Sequence, residues 1–420
     1  MKRMMAAVLA ATACAAITSA QAQDTEASAP SLSLDEALAA AGAVSPAIEA
    51  SQSGIKAAEA QRAVAGLRPN PSLDAMTENV AGTGMYRGLR SSETTVGLSL
   101  PLELGGKRSA RVAVANAQLD RASLDAAITR ADLRLRVTQA YNDAVAAQRR
   151  AANAREQVGI AAEVLRAARV RVAAGRASPL EEQRADVARL NADGAAERAN
   201  RSAQVALGNL ARLIGRGAST LDAAWFARIE GAGPRLPVRS EGTLAAAAAQ
   251  ADLSTATAQV RLARSQRVPD VTVSASARRL EATNDTAAVF GVSVPLPLFN
   301  NGRAAVDLAS AQRQQADAQR RVALLDAEQA IALAEADVAN AATTARNATG
   351  PTLAAAQEAA RIARIGYREG KFGQLDLLEA ERTLADTRAA AIDALAAYHD
   401  AQARLERLAA PAPTDAKDAR

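Results

Sequence analysis

A strict alternation of apolar and small polar residues occurs twice along the chain. Val96, Leu98, Leu100 and Leu102 share one face of a strand-length stretch, with Gly97 and Ser99 on the other. Phe290, Val292, Val294 and Leu296 repeat that face, with Gly291 and Ser293 opposite. A period of two belongs to a β-strand whose two faces meet different surroundings. Val271 to Ala277 alternates in the same way and predicts another strand, and Ser72 to Glu78, which alternates poorly, predicts the partner of the first. The remaining segments predict helices. A first helix runs from about Leu34 to Gly66 and its counterpart from about Leu244 to Arg267. Each ends before a proline-containing break, Leu67-Arg68-Pro69-Asn70-Pro71 and Val268-Pro269-Asp270. No proline occurs from Gly106 to about Ala174, which predicts a helix of about 70 residues, roughly 100 Å long. The matching segment, Arg303 to Glu369, contains Gly350-Pro351, where a kink or break is expected. Tight turns at Gly175 and Gly370 then reverse the chain into a last helix.

These elements come in two homologous halves. Thr95-Val96-Gly97-Leu98-Ser99-Leu100-Pro101-Leu102 matches Val289-Phe290-Gly291-Val292-Ser293-Val294-Pro295-Leu296, and the register continues to Ala117-Gln118 against Ala311-Gln312. Gly175-Arg176-Ala177-Ser178-Pro179-Leu180-Glu181 answers Gly370-Lys371-Phe372-Gly373-Gln374-Leu375-Asp376, a period near 195 residues and far longer than that of a solenoid. The expected organisation is a signal peptide at 1–22, a linker at 23–31, a first repeat at 32–230, a linker at 231–240, a second repeat at 241–410 and a disordered tail at 411–420.

Composition sets the compartment and removes most chemistry. Lys2 and Arg3, the small apolar run Ala6 to Ile17 and the small-x-small triplet Ala20-Gln21-Ala22 predict export with cleavage before Gln23. Cleavage there removes Cys14, the only cysteine; acylation of Cys14 is the competing reading, weakened by the absence of a preceding Leu. The lone His399, expected at the surface, leaves no Cys/His cluster for a metal, and no GxSxG, P-loop or GxGxxG motif follows a strand. An enzyme and a cofactor are not expected. The net charge of +5 is spread as interleaved acids and bases rather than basic blocks, which does not suit nucleic acid. Aromatic residues are only 2% of the chain and alanine dominates, so the helices are expected to pack closely through small side chains.

Four strands cannot close a membrane barrel, which needs about eight at least, and an open edge in lipid would leave backbone groups unpaired. Two or three chains pooling strands would give 8 or 12, and geometry alone does not choose. In this reading Val96, Leu98, Leu100, Phe290, Val292 and Val294 face lipid, the small polar face lines a lumen, and Phe299 and Tyr86 lie near strand ends where interfacial aromatics belong. A buried hairpin packed on helices is the plainer alternative.

The two-fold repeat, the strands ending in Pro-Leu, the long helices and the Tyr/Gly turn resemble the TolC-type outer-membrane efflux family over nearly the whole mature chain. Leu67-Arg68-Pro69-Asn70-Pro71 and Pro101-Leu102-Glu103-Leu104-Gly105-Gly106-Lys107-Arg108 are similar to the outer-membrane members of cobalt–zinc–cadmium efflux systems. The resemblance implies a mainly α fold with a small transmembrane β part. It implies a homotrimer whose strands form a 12-stranded barrel in the outer membrane and whose helices form an α-barrel through the periplasm. The expected partners are outer-membrane lipid, a periplasmic adaptor (membrane fusion protein) and an inner-membrane RND pump. The expected cargo is heavy-metal cations, with drugs or a secreted polypeptide as the alternative for the same channel. A periplasmic adaptor is the alternative from another class, disfavoured because adaptors carry a single hairpin. Trp225, Phe226 and the C-terminal stretch would fall in the family's equatorial region.

The resemblance also makes the turn after Gly370 the periplasmic tip. Asp376 and Glu379, three apart on one helix face, would line its entrance, with Glu181 in the same place in the first half. Acids in a first helical turn also favour the helix dipole, so a plain capping role competes. The family's closing hydrogen bonds would fall to Tyr367 and a base. The position spaced for that base is Phe372, so Lys371 or, from the first half, Arg176 or Arg184 would have to substitute.

Overall fold

The computed structural model describes residues 31–217, 220–229 and 239–413. The expected signal peptide with Cys14, nearly all of the 23–31 and 231–240 linkers and most of the C-terminal tail lie outside these residues.

The chain order is α1 (Leu34–Val44), α2 (Pro46–Ala65), β1 (Ser72–Glu78), β2 (Glu93–Leu102), α3 (Lys107–Ala173) and α4 (Pro179–Ile214). It then repeats as α5 (Leu244–Ser265), β3 (Val271–Leu280), β4 (Asp285–Ser293), α6 (Arg303–Thr349), α7 (Pro351–Arg368) and α8 (Gln374–Leu408). Two expectations about the elements need correction. The first helix is interrupted, because Pro46 has no N–H to continue the ladder; Ser45 is extended there, and Pro46 starts α2 as its first residue. The last strand stops at Ser293, so Val294 and Leu296 follow it rather than belong to it. Its only neighbour, β3, begins at Val271, so the ladder runs out one position beyond the Thr272↔Ser293 pair, and the other side of β4 is an open edge. The 67-residue α3 is unbroken, about 100 Å by its rise, whereas its counterpart divides at Gly350-Pro351 as expected.

The strands form one antiparallel sheet in the order β1-β2-β3-β4, so the halves meet at β2 and β3. Leu98 lies opposite Leu73 and Ala275, Val96 opposite Ala75 and Ala277, and Phe290 opposite Ala275. The register therefore gathers Leu73, Val96, Leu98, Leu100, Val273, Phe290 and Val292 on one face. Phe290 is 81% exposed and Val292 73%, so none of the described residues covers that face. The sheet sits at one end of the helical rod, and the turns after α3 and α7 at the other.

Helices pack mainly through alanine. The buried positions of α3 include Ala110, Ala115, Ala117, Ala126, Ala144, Ala146, Ala147, Ala151 and Ala168. The largest core lies midway, where Tyr141, Tyr398, Phe226, Leu210 and Ile214 are essentially solvent-free. Tyr141 Oη lies 2.6 Å from the Leu32 carbonyl and 2.9 Å from that of Asp222, tying the segment before α1 to the segment after α4. Burial, then the Asp222 charge, push its phenol up to about 12. His399 is not a surface residue. Its Nε2 lies 3.0 Å from the Phe226 carbonyl, and its ring stands edge-on to Trp225, centroids 4.5 Å apart. Near-neighbour spacing gave no hint of this, because Trp225 is remote in sequence.

Where sheet meets helices, the halves are clamped together. Lys107 Nζ lies 2.7 Å from Asp270, which also accepts from the Leu104 N–H, and Arg111 bridges Glu103 and the carbonyls that end α2. The hydrogen bond from Arg111, outweighing burial, holds the Glu103 carboxyl below its ordinary range. A depressed carboxyl stabilises the fold above its unfolded pKa, near 4.3, and that contribution is lost as pH falls through the folded value. Glu103→Gln is expected to lower the thermal midpoint at pH 7. The gap from the parent protein should close as pH falls through the carboxylate range; a gap that persists unchanged in acid would show that packing, not charge, is responsible.

Candidate functional site

Two regions carry candidate function: the sheet and the turn end. On the face of the sheet opposite the apolar one, Ser99 Oγ is hydrogen bonded to the side chains of Ser72 and Asp74, at 2.6 Å from each. Arg278 on that face reaches Glu93 at 3.0 Å, Glu78 at 3.6 Å and the Thr95 hydroxyl at 3.1 Å. The face is therefore mostly polar and internally paired, with Met76 and Val289 as its apolar members, which suits contact with water; the other is apolar from Val96 to Leu100 and turns polar at Thr94, Arg279 and Thr286.

At the turn end, α3 and α4 are joined through Gly175 and α7 and α8 through Gly370, with φ of +66° and +72°. That left-handed conformation costs an L side chain about 1–2 kcal/mol, which is why glycine serves at both reversals. Phe372 folds its ring back onto Gly366, where an added Cβ would lie 2.0 Å from the ring. The residue that replaces the expected base thus packs the turn instead. Lys371 and Arg176 are exposed in the two turns, their backbone N–H groups donating to Gly366 and Arg171 carbonyls.

Asp376 and Glu379 are both exposed on α8. The Gly373 N–H donates to Asp376 Oδ2 at 2.9 Å, so Asp376 does cap its helix, through one oxygen. Glu379 has no such task. Glu181 is partly buried, and its carbonyl accepts from Gln374 Nε2 at 2.8 Å, a direct link between the turns of the two halves. The sequence offered no signal for Gln374, an ordinary first residue of a helix.

Tyr367 is buried with Val164, Leu165, Ala168 and Leu377, and the Arg171 guanidinium lies 4.7 Å from its ring centroid. Its hydroxyl bonds none of the acids expected to share a gate with it. Tyr367 Oη, Arg171 Nη1, Glu181 Oε2 and Gln374 Oε1 are all buried without a hydrogen-bond partner among the described residues. Beside them a cleft of about 460 Å³ is bordered by Glu156, Glu163, Arg364, Tyr367 and Glu381. Arg364 and the buried Glu381 form a two-point ion pair, which raises the Arg364 pKa against the opposing effect of burial. The pairing of these two could not be picked from the sequence, since it joins neighbouring helices among 50 basic and 45 acidic residues.

The sequence profile of the family described as "Outer membrane efflux protein" matches residues 37–216 and again residues 243–410. The chain belongs to the outer membrane efflux protein family. Among curated relatives, it is 32% identical over 354 residues to the cobalt-zinc-cadmium resistance protein CzcC of Cupriavidus metallidurans, covering 81% of each chain. It is 32% identical over 283 residues to the nickel and cobalt resistance protein CnrC of the same organism, covering 66% of this chain and 68% of the relative. The solved outer membrane protein VceC from Vibrio cholerae shares its fold, with a TM-score of 0.73 at 22% identity over 90% of this chain and 96% of that one. As an efflux protein, the chain has two matches to one profile because its two halves are the same unit. No group of three or more His, Cys, Asp or Glu suited to a metal ion occurs among the described residues.

Proposed function

We propose that this efflux protein is a trimeric outer-membrane duct that passes heavy-metal cations out of the cell, receiving them from an inner-membrane RND pump through a periplasmic adaptor. The observation that carries the reading is the four-stranded sheet, apolar and uncovered on one face, polar on the other and open at both edges, at one end of a helical rod about 100 Å long. An open sheet in lipid is not viable, since each unpaired backbone group there costs several kcal/mol. Three copies would pool twelve strands into a closed barrel. A ten-residue strand tilted about 45° spans roughly 23 Å, close to the apolar band of such barrels, about 25 Å. The rod then extends into the periplasm and presents the Gly175 and Gly370 turns to the adaptor. The metal cargo rests on the likeness to CzcC, and the exposed Asp376 and Glu379 support it by offering carboxylates at the mouth.

Deleting the chain from a cell that keeps its pump and adaptor is expected to lower tolerance to cobalt, zinc or cadmium, and a plasmid copy to restore it. Unchanged metal tolerance together with lost tolerance to drugs would overturn the cargo while leaving the duct.

A further inference from the structure

The junction between sheet and helices is built differently in the two halves. In the first half its charges pair off: Lys107, the first residue of α3, meets Asp270, and Arg111 meets Glu103. A cation at a helix N-terminus opposes the helix dipole, and Asp270 offsets that cost for Lys107. The second half carries cations in the same place without acids. Arg303 is the first residue of α6, whose first turn holds no acid. The repeat position of Glu103 is Pro297, by the offset that pairs Pro101 with Pro295, and no acidic residue occurs from Val294 to Val306. Arg267, just after α5, lies against the same turn. Its Cγ is 2.8 Å from where a Cβ on Gly302 would stand, and its Nε donates to the Asn301 carbonyl at 3.3 Å. Arg267 and Arg303 thus flank one glycine. Both are exposed, and neither forms an ion pair among the described residues.

Beside this pair, the segment between β4 and α6 is apolar and uncovered. Leu296 is 74% exposed, Leu298 78% and Phe299 fully. Its backbone is set rather than slack: Pro295 and Pro297 fix two φ angles, and the Leu298 N–H donates to the Leu296 carbonyl at 2.9 Å. The segment continues from Phe290 and Val292 on the apolar face of the sheet and ends at Arg303. On the membrane reading it therefore runs from the lipid-facing strand to the start of the periplasmic helices, at the level of lipid headgroups. Exposed apolar side chains beside unpaired guanidinium groups at that level match one kind of molecule, an acyl chain that ends in a phosphate.

We infer that the second-half junction binds an anionic phospholipid of the periplasmic leaflet, with its phosphate between Arg267 and Arg303 and its acyl chains along Leu296, Leu298 and Phe299. This rests on the membrane reading above and adds a lipid site to it. Arg267 spends only its Nε on the Asn301 carbonyl, and its terminal nitrogens bond nothing among the described residues. Guanidinium donors match phosphate oxygens two at a time. A phosphate there relieves the repulsion between two adjacent like charges, and the N-terminus of α6 favours it further. Net charge decides between lipids. A zwitterionic lipid brings its own ammonium to the two cations, whereas phosphatidylglycerol brings a net negative charge. The first-half junction has its cations paired already, so one lipid per chain is expected.

Native mass spectrometry of the detergent-extracted protein tests the site, with phosphatidylglycerol, phosphatidylcholine and inorganic phosphate as probes. Phosphatidylglycerol should be retained at about one per chain and at least about tenfold more than phosphatidylcholine, since each arginine near an anionic headgroup is worth roughly fivefold. Inorganic phosphate should not displace it, because it lacks acyl chains. Arg267→Gln with Arg303→Gln should remove the preference, and Arg267→Lys with Arg303→Lys should largely keep it. Leu298→Ser with Phe299→Ser should lower retention of both lipids. Equal retention of the two lipids by the parent protein overturns the inference without any variant. Displacement by inorganic phosphate also overturns it, since that marks a site for an ion rather than a lipid. Equal loss of heat-resistant trimer in the two lipids for the double Gln variant would give the arginines to a contact between copies, and overturns it too. Insertion into vesicles of either lipid reports the membrane reading separately. A chain that inserts without preferring phosphatidylglycerol loses only the lipid site; one that inserts into neither loses both.

Discussion

Leu98→Arg or Val292→Arg is expected to abolish assembly in the membrane, whereas Ser99→Arg, one residue away from Leu98, should assemble. Leu98 is flanked by Leu73 and Ala275 on the apolar face, is 57% exposed, and has none of the described residues over it. On the proposed reading that face meets lipid, where an arginine costs about 2–4 kcal/mol near the midplane. At about 1.4 kcal/mol per tenfold, one copy shifts the folding equilibrium by roughly 30- to 900-fold. A trimer carries the change three times, so the cost is about 6–12 kcal/mol, comparable with the whole stability of a domain. Ser99 points the other way, toward Ser72 and Asp74, and an arginine there loses two hydroxyl hydrogen bonds but gains a carboxylate neighbour. The measurement is the yield of heat-resistant trimer in outer-membrane fractions. Equal yields for the two sets would mean that the apolar face is covered by protein, as in a buried hairpin.

Neutralising Asp376 and Glu379 together should weaken the channel's block by multivalent cations. The two acids are exposed and share a face at the start of α8; on the trimeric reading they form two rings of three carboxylates at the narrow end, and such rings favour cations. Hexaammine-cobalt added to the periplasmic side of a planar bilayer should block the parent channel, and Asp376→Asn with Glu379→Gln should weaken that block about tenfold or more and lower the cation preference. The substitutions separate charge from capping. Asp376 accepts from the Gly373 N–H through one oxygen, and asparagine keeps an oxygen for that bond. Glu379 caps nothing, so Glu379→Gln alone should already reduce the block. If block and selectivity survive the double change, the acids serve the helix and the constriction lies elsewhere. Tyr367→Phe should raise resting conductance only if its hydroxyl is bonded across a subunit boundary, since it has no hydrogen-bond partner among the described residues.

The elements were legible because they rest on local rules. A period of two in Val96 to Leu102 marks a strand whatever surrounds it, and the absence of proline over Gly106 to Ala174 permits one unbroken helix. The break at Gly350-Pro351 follows from the same backbone chemistry. Pro46 obeys it too: it follows the eleven-residue α1, inside the stretch expected as one helix from Leu34 to Gly66, so the rule that marks Gly350-Pro351 also marks the break missed there. The end of β4 was misjudged for a different reason. Alternation persists through Val294 and Leu296, yet a strand exists only as far as it has a neighbour to bond.

Alternation, the long repeat and the glycine turns thus determined most elements, their order and the apolar face of β2 and β4. What only the tertiary structure decided were the contacts made across elements far apart in sequence. It set β2 beside β3, buried His399 on Trp225, laid Phe372 over Gly366 and joined Gln374 to the Glu181 carbonyl. It also gave Arg171, one arginine among many, to the ring of Tyr367. Such pairings depend on the relative rotation and axial shift of long helices. A slide of one residue, about 1.5 Å, changes which side chains meet while leaving the helical pattern of each helix untouched.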